Sequence, residues 1–237
     1  MTPDDDRVPW AYLEENYPMW EAKGYWKRAR LWFGFDVTHS YAVGTERFLM
    51  SMAENPEWCT DIFNTQLDLS IALLEKVYAR GYAFDEVSWD DDMAYKYNQF
   101  FSVDMYRRLL KPVHKRAVDW AHSKGAVTHL HSDGDIKPFL PELIEIGIDA
   151  INPMEVKAGM DPKYVKDNFG HKLLLRGGFD PQDWNNHEKT EAIIRERLPV
   201  LMKNGGYIFA SDHSIPDSVG LEDYRFVVNL AKEVGRY

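Results

Sequence analysis

Apolar positions change their period several times along the chain, and each change marks an element. Residues 29–37 form a short apolar stretch and read as a strand. Over residues 46–80 apolar side chains recur three and four apart: Phe48, Leu49 and Met52, then Ile62, Phe63, Leu67, Leu69, Leu73, Leu74 and Val77. That spacing is helical. Asn55-Pro56 divides it into two helices, and Gly81 supplies the stop. Beyond it, strands over residues 84–89, 126–131, 149–152, 172–176 and 207–211 alternate with helices over 103–123, 137–146, 162–169, 188–203 and 221–234. Residues 1–28, rich in Trp and Tyr (Trp10, Tyr12, Tyr17, Trp20, Tyr25, Trp26), read as a helical or irregular lead-in.

Alternation of strands with helices means βα units and a parallel sheet. The class is α/β, a TIM-type (β/α)8 barrel, although the strand count falls about two short of closure. The barrel is therefore expected to be incomplete or shortened at its N-terminal side. Polar residues gather just after strand ends, at Asp90–Asp92, His131–Asp135, Asn152–Glu155, Asp180 and Asp212-His213. In parallel α/β folds those ends build the active site.

Composition narrows the classes. With 237 residues, 45% apolar and 14% aromatic, the chain is too greasy for disorder, and residues 1–237 read as one domain. A net charge of −10 argues against a general nucleic-acid binder, which needs a basic face. Cys59 is the only cysteine, which excludes an internal disulfide and a cysteine-rich zinc cage. Any metal must be held by His and carboxylates, with at most one thiolate. The acidic start carries no secretory pattern, and no apolar run reaches the ~18 residues of a membrane span, so a cytoplasmic, soluble protein is expected.

The densest chemistry lies in Thr128-His129-Leu130-His131-Ser132-Asp133-Gly134-Asp135. Side chains alternate along a strand, so His129, His131 and Asp133 project to one side. Two imidazoles and a carboxylate so spaced can present metal-ligand atoms. Buried, neighbour-bonded histidines with Asp133 as a cap are the even rival. His213 adds an imidazole from the last strand end, with Asp212 beside it as a supporting carboxylate or cap. Glu155 can act as ligand, acid or base, or pair with Lys157 or Arg176. Of Asp90, Asp91 and Asp92, Asp91 is read as facing inward, against the rival of a helix-capping run. Arg176-Gly177-Gly178-Phe179-Asp180 offers a cation, a flexible loop that a ligand can approach closely, and a carboxylate. No GxSxG, Walker or GxGxxG motif is present.

His131-Ser132-Asp133-Gly134, the run from Gly147 to Glu155, Gly177-Gly178-Phe179-Asp180, and Gly205-Gly206-Tyr207-Ile208 with His213 together resemble the uroporphyrinogen decarboxylase superfamily. The resemblance runs from about Gly24 onward and is closest to the methyltransferase-like branch, which includes corrinoid-dependent enzymes. It implies a zinc site in which His131 matches the family histidine. Asp133 and His213 stand where family members carry cysteines, which makes the site harder. Family members also have a longer N-terminal part, in line with the missing strands.

The resemblance implies a methyltransferase or demethylase moving a methyl group between a small molecule or thiol and a corrinoid carried by a partner. Zinc would be held by His131, Asp133 and His213, with Glu155, Asp91 and Asp180 as catalytic groups. Arg176, His129, Asn152 and Asp212 would bind substrate. Two alternatives stand beside it. One is a metal-free decarboxylase-like lyase, using Asp91 against a cationic group and Arg176 against a carboxylate. The other is a non-catalytic subunit completing a partner's barrel. An open sheet edge favours association, so a homodimer or a partner-completed assembly is expected.

Overall fold

The computed structural model describes residues 2–236; Met1 and Tyr237, the ends of the expected domain, lie outside the described residues. In chain order the main elements are α1 (Trp10–Ala22), β1 (Arg28–Arg30), α2 (Thr45–Glu54), α3 (Pro56–Ala79), β2 (Glu86–Asp90), β3 (Ala94–Tyr95), β4 (Asn98–Gln99), α4 (Val103–Leu109), α5 (Lys111–Ser123), β5 (Val127–His131), α6 (Leu140–Ile146), β6 (Ala150–Asn152), α7 (Pro162–Phe169), β7 (Leu174–Arg176), α8 (His187–Met202), β8 (Tyr207–Ile208) and α9 (Leu221–Val234). Six strands follow the sheet order β1-β2-β5-β6-β7-β8, while β3 and β4 form a separate antiparallel hairpin. β1 pairs with β2, β6 with β7 and β7 with β8, all parallel. This is the TIM-type βα arrangement, with six strands among the described residues.

Contacts divide the chain into two compact units. The first comprises Met1–Asp92, Phe101–Leu130 and Glu145–Ile148. Cys59, Phe63 and Leu67, each four apart on α3, are fully buried on one face. Phe63 meets Phe48 of α2 with ring centroids 5.6 Å apart, and Phe33 meets Trp89 at 5.5 Å. Edge and tilted aromatic pairs of this kind add about 0.5–1.5 kcal/mol each beyond area burial. Val8 and Leu13 dock the lead-in segment onto Val77. Two expectations need correction here. The 29–37 strand stops at Arg30, because Gly34 (φ 110°) turns the chain into a helical turn over Phe35–Val37. The 103–123 helix is broken at Leu110. Pro112 cannot donate a backbone hydrogen bond and its ring clashes one turn back, so it tolerates only the first turn of α5.

The second unit comprises Met93–Phe100, His131–Ile144 and Asp149–Tyr237. Ile151 and Leu175 are fully buried register partners on β6 and β7, and burying each side chain contributes roughly 1.5–3 kcal/mol. Ile194, Leu198 and Leu201 of α8 and Val227 of α9 supply the helix side of that core. Side chains one residue on, Asn152 and Arg176, take the opposite face and are only partly buried. The polar ends of the strands thus follow directly from the pleat.

Gly177 and Gly178 were read as a loop open to a ligand; the space is filled instead by the protein. A Cβ on Gly177 (φ 105°) would lie 1.9 Å from the Pro153 carbonyl oxygen. Gly178 donates its N–H to that same oxygen at 2.9 Å. Gly177→Ala is therefore expected to destabilise the fold by about 3 kcal/mol or more. Gly205→Ala, equally left-handed (φ 74°) but with nothing within 4 Å, should cost only about 1–2 kcal/mol. Urea denaturation of both variants checks this; equal losses would contradict it.

Candidate metal and substrate site

Five loops of the second unit meet at the C-terminal strand ends. The turn after β5 is fixed first. Ser132 N–H donates to the Asn152 carbonyl (2.9 Å), and Ser132 Oγ accepts from Met93 N–H (3.0 Å). Gly134 N–H donates to Glu155 Oε2 (2.8 Å), and Gln99 of the hairpin donates to the Asp135 carbonyl (2.8 Å). A Cβ on Gly134 would lie 2.5 Å from the backbone of Ala94 and Tyr95, so the hairpin packs directly on this turn. The loop after β8 is tied in turn by Asp212 N–H to the Phe179 carbonyl (2.9 Å) and by the bridge between Phe179 and Ser211.

This scaffold brings His131, Asp133 and His213 together. His131 Nε2 lies 3.6 Å from Asp133 Oδ1, and His213 Nε2 lies 3.9 Å from Asp133 Oδ2. One carboxylate thus faces two imidazoles, one oxygen to each. Burial works to raise the Asp133 carboxyl, but the hydrogen bond and charge of His131, with the charges of His213 and Lys157, outweigh it and hold it below the usual range. The three side chains line a cavity of about 250 Å³ together with Asn152, Pro153, Ser211, Asp212 and Ser214.

Other expected residues take different places. Asn152 Nδ2 meets His131 Nδ1 at 2.9 Å, so it governs which ring nitrogen of His131 carries the proton. Asp212 is fully buried; Oδ2 accepts from Val156 N–H at 2.7 Å, while Oδ1 has no hydrogen-bond partner. Burial pushes its carboxyl up to about 6. Glu155 is 7% exposed, braces Gly134, and lies 3.5 Å from Lys157 Nζ; it supports the Asp133 turn from behind. Asp180 accepts from Gln182 N–H at 2.9 Å and caps the turn Pro181–Asp183. The Arg176 side chain has no hydrogen bond, ion pair or ring contact among the described residues.

In the first unit, Asp91 is fully buried. Its Oδ1 accepts from Asp36 N–H at 2.8 Å, its Oδ2 meets His114 Nε2 at 2.8 Å, and His114 Nδ1 meets the Tyr106 hydroxyl at 3.1 Å. His129 Nδ1 pairs with Glu86 Oε1 at 2.9 Å, while its Nε2 is buried without a hydrogen-bond partner. Lys157 is the partner Glu155 takes of the two expected for it. Sequence reasoning missed one support: the hairpin β3–β4 props the His131 turn. The only signal for the hairpin is Tyr95-Lys96-Tyr97-Asn98, an aromatic-polar alternation with a turn residue.

His131 and Asp133 offer a nitrogen and an oxygen close to the spacing of two ligands of one divalent ion, while His213 faces the other oxygen of Asp133. Donors about 2.0–2.1 Å from a tetrahedral ion stand about 3.4 Å apart. The His131–Asp133 separation of 3.6 Å exceeds that by a few tenths of an ångström; the 3.9 Å of His213 is measured to the second oxygen. Two imidazoles and a carboxylate are a common zinc donor set.

Comparison with known proteins places the chain. The family model for uroporphyrinogen decarboxylase (URO-D) matches residues 37–234. A solved structure, a methyltransferase from Methanosarcina mazei, superposes with a TM-score of 0.61 at 21% identity, covering 85% of this chain. The chain spans 57% of the length of that structure. A search of curated protein sequences returns no match. The matched span takes in every strand from β2 to β8 and all the cavity-lining residues, and the chain belongs to the uroporphyrinogen decarboxylase family.

Proposed function

We propose that this chain carries the metal-binding half of a methyl-transferring site. His131, Asp133 and His213 would hold a zinc ion, and a corrinoid on a partner protein would exchange methyl groups with a small molecule or thiol. The observation that supports this most is the placing of one Asp133 oxygen opposite each imidazole, at 3.6 and 3.9 Å, on the wall of a 250 Å³ cavity. Zinc bound there supplies Lewis acidity to the atom that gives or accepts the methyl group. The structural neighbour's name, a methyltransferase, favours the methyl-transfer part of this reading.

The chain's own residues do the positioning. Asn152 must accept from His131 Nδ1–H for Nε2 to offer its lone pair, and half a turn of the amide presents its oxygen for this. Glu155 holds Gly134, and through it the orientation of Asp133. Ser132 Oγ, next to His131, is fixed by accepting from Met93 N–H. The metal-free lyase reading would set Asp91 against the substrate. Both Asp91 oxygens are already engaged, by Asp36 N–H and His114, in a fully buried position.

Removing one ligand should be far costlier than disturbing a supporting residue. His131→Ala and His213→Ala are expected to weaken zinc affinity by more than about 100-fold, and Asn152→Ala by about 10–100-fold. Glu155→Gln should retain most of the affinity that Glu155→Ala loses, because a glutamine carbonyl still accepts from Gly134. Competition against a chromophoric chelator measures each. Wild-type protein that binds no zinc would refute the proposal, and Glu155→Gln behaving like Glu155→Ala would make Glu155 a ligand.

Asp212 gives a pH prediction. Its carboxyl is raised from the ordinary 3.8 to about 6 in the fold. The stability tied to its protonated form is therefore complete below about pH 4 and lost as pH rises through about 6, a loss on the order of 3 kcal/mol. Asp212→Asn keeps an acceptor for Val156 N–H without the charge. In chelator-treated protein the variant should match wild type near pH 4 and exceed it near about pH 8. A wild-type advantage at high pH would contradict this.

A further inference from the structure

Helices α7 and α8 touch in the second unit, and each ends in a turn before the next strand. Gly170-His171 leads from α7 toward β7, and Asn204-Gly205-Gly206 leads from α8 to β8. Between the two helices lies a groove of about 790 Å³. It sits at the N-terminal ends of the strands, the opposite side from the cavity that holds His131, Asp133 and His213. Lys163, Lys166, His171 and Lys203 line it, and Asp167 is the one carboxylate among the described residues that do. Pro199 and Val200 give it an apolar wall.

In a chain of net charge −10, three lysines against one aspartate reverse the sign locally. A concave surface of one sign concentrates the opposite charge. Ordinary roles account for part of the cluster. Lys163 Nζ pairs with Asp167 Oδ2 at 2.5 Å, one helical turn on. Lys166 Nζ donates to the Gly205 carbonyl at 2.5 Å. The rest has no such role. An ammonium carries three donors, so two of those on Lys166 are unengaged. Yet this side chain is half-buried, and burial lowers the pKa of its ammonium. The side chains of Lys203 and His171 have no hydrogen bond, ion pair or ring contact among the described residues. An anion among these three would offset the cost of burying Lys166.

Lysines bind phosphate as point charges, whereas carboxylates are matched best by an arginine fork, which no described residue supplies in this groove. Several cations around one volume suit more than one anionic charge, and the apolar wall suits an organic part. A volume of this order holds a ligand of drug or nucleotide size. We propose that the groove between α7 and α8 is a second ligand site, for an organic polyphosphate of nucleotide size. Its phosphates meet Lys166, Lys203 and His171, and its apolar part lies against Pro199 and Val200. The inference needs neither the metal nor the reading of the His131 cavity.

ADP, pyrophosphate and adenosine serve as probes, titrated by calorimetry into chelator-treated protein at low salt. ADP and pyrophosphate should bind with Kd below about 1 mM, and adenosine about tenfold more weakly or worse. Added salt should weaken both anions. Lys203→Glu, at an exposed position, should weaken ADP about tenfold or more. Lys163→Gln should weaken it less, because Asp167 already neutralises that ammonium. Thermal unfolding of both variants near the wild-type midpoint confirms that they fold. His131→Ala should bind ADP as wild type does. No binding of ADP or pyrophosphate to wild type, or equal binding to Lys203→Glu, overturns the proposal. So does loss of ADP in His131→Ala, which would put the phosphates in the other cavity. A short single-stranded oligonucleotide that binds far more tightly than ADP would make the groove a nucleic-acid surface and also overturn it. Zinc binding and ADP binding are separate readouts, so either reading can fail alone.

Discussion

The Asp133 carboxylate, facing two imidazoles at once, is the contact on which the site depends. A carboxylate so placed cannot tolerate much freedom: a shift of an ångström would leave one nitrogen without a counterpart. The protein supplies the constraint through backbone bonds rather than further charges. Glu155 grips the amide that follows Asp133, Ser132 accepts the amide of Met93, and the hairpin β3–β4 packs against Gly134 with no space for a side chain. Acid residues expected to perform chemistry are largely engaged in holding other groups still.

That division explains how much was legible in the sequence. The alternation of apolar runs gave the βα order because each strand buries one face, as Ile151 and Leu175 do. The gathering of His131, Asp133 and His213 was legible because they follow strand ends, where the fold leaves side chains without helix cover. The roles of Glu155, Asp180 and Asp91 were not. Whether a carboxylate meets solvent, a backbone amide or a buried histidine depends on tertiary neighbours far off in sequence. Asp91 meets His114, 23 residues on. The brevity of β1 was hidden for a related reason. Residues 29–37 are mostly apolar, but Phe33 and Phe35 pack into the core from a turn.

Electrostatics shape the remainder of the pocket. Asp133 is held ionised by its neighbours, whereas Asp212, buried with one oxygen unsatisfied, favours its proton. Two carboxylates on one cavity wall thus differ in charge under mildly acidic conditions, by environment alone. Lys157 offsets part of the negative charge through Glu155.

The most direct test of the central claim is a crystal grown with zinc and measured on both sides of the zinc absorption edge. An anomalous peak within bonding distance, about 2.0–2.2 Å, of His131 Nε2, His213 Nε2 and an Asp133 oxygen is the expected result. A fully zinc-equilibrated crystal with no peak there, and the two imidazoles turned away from Asp133, would contradict it.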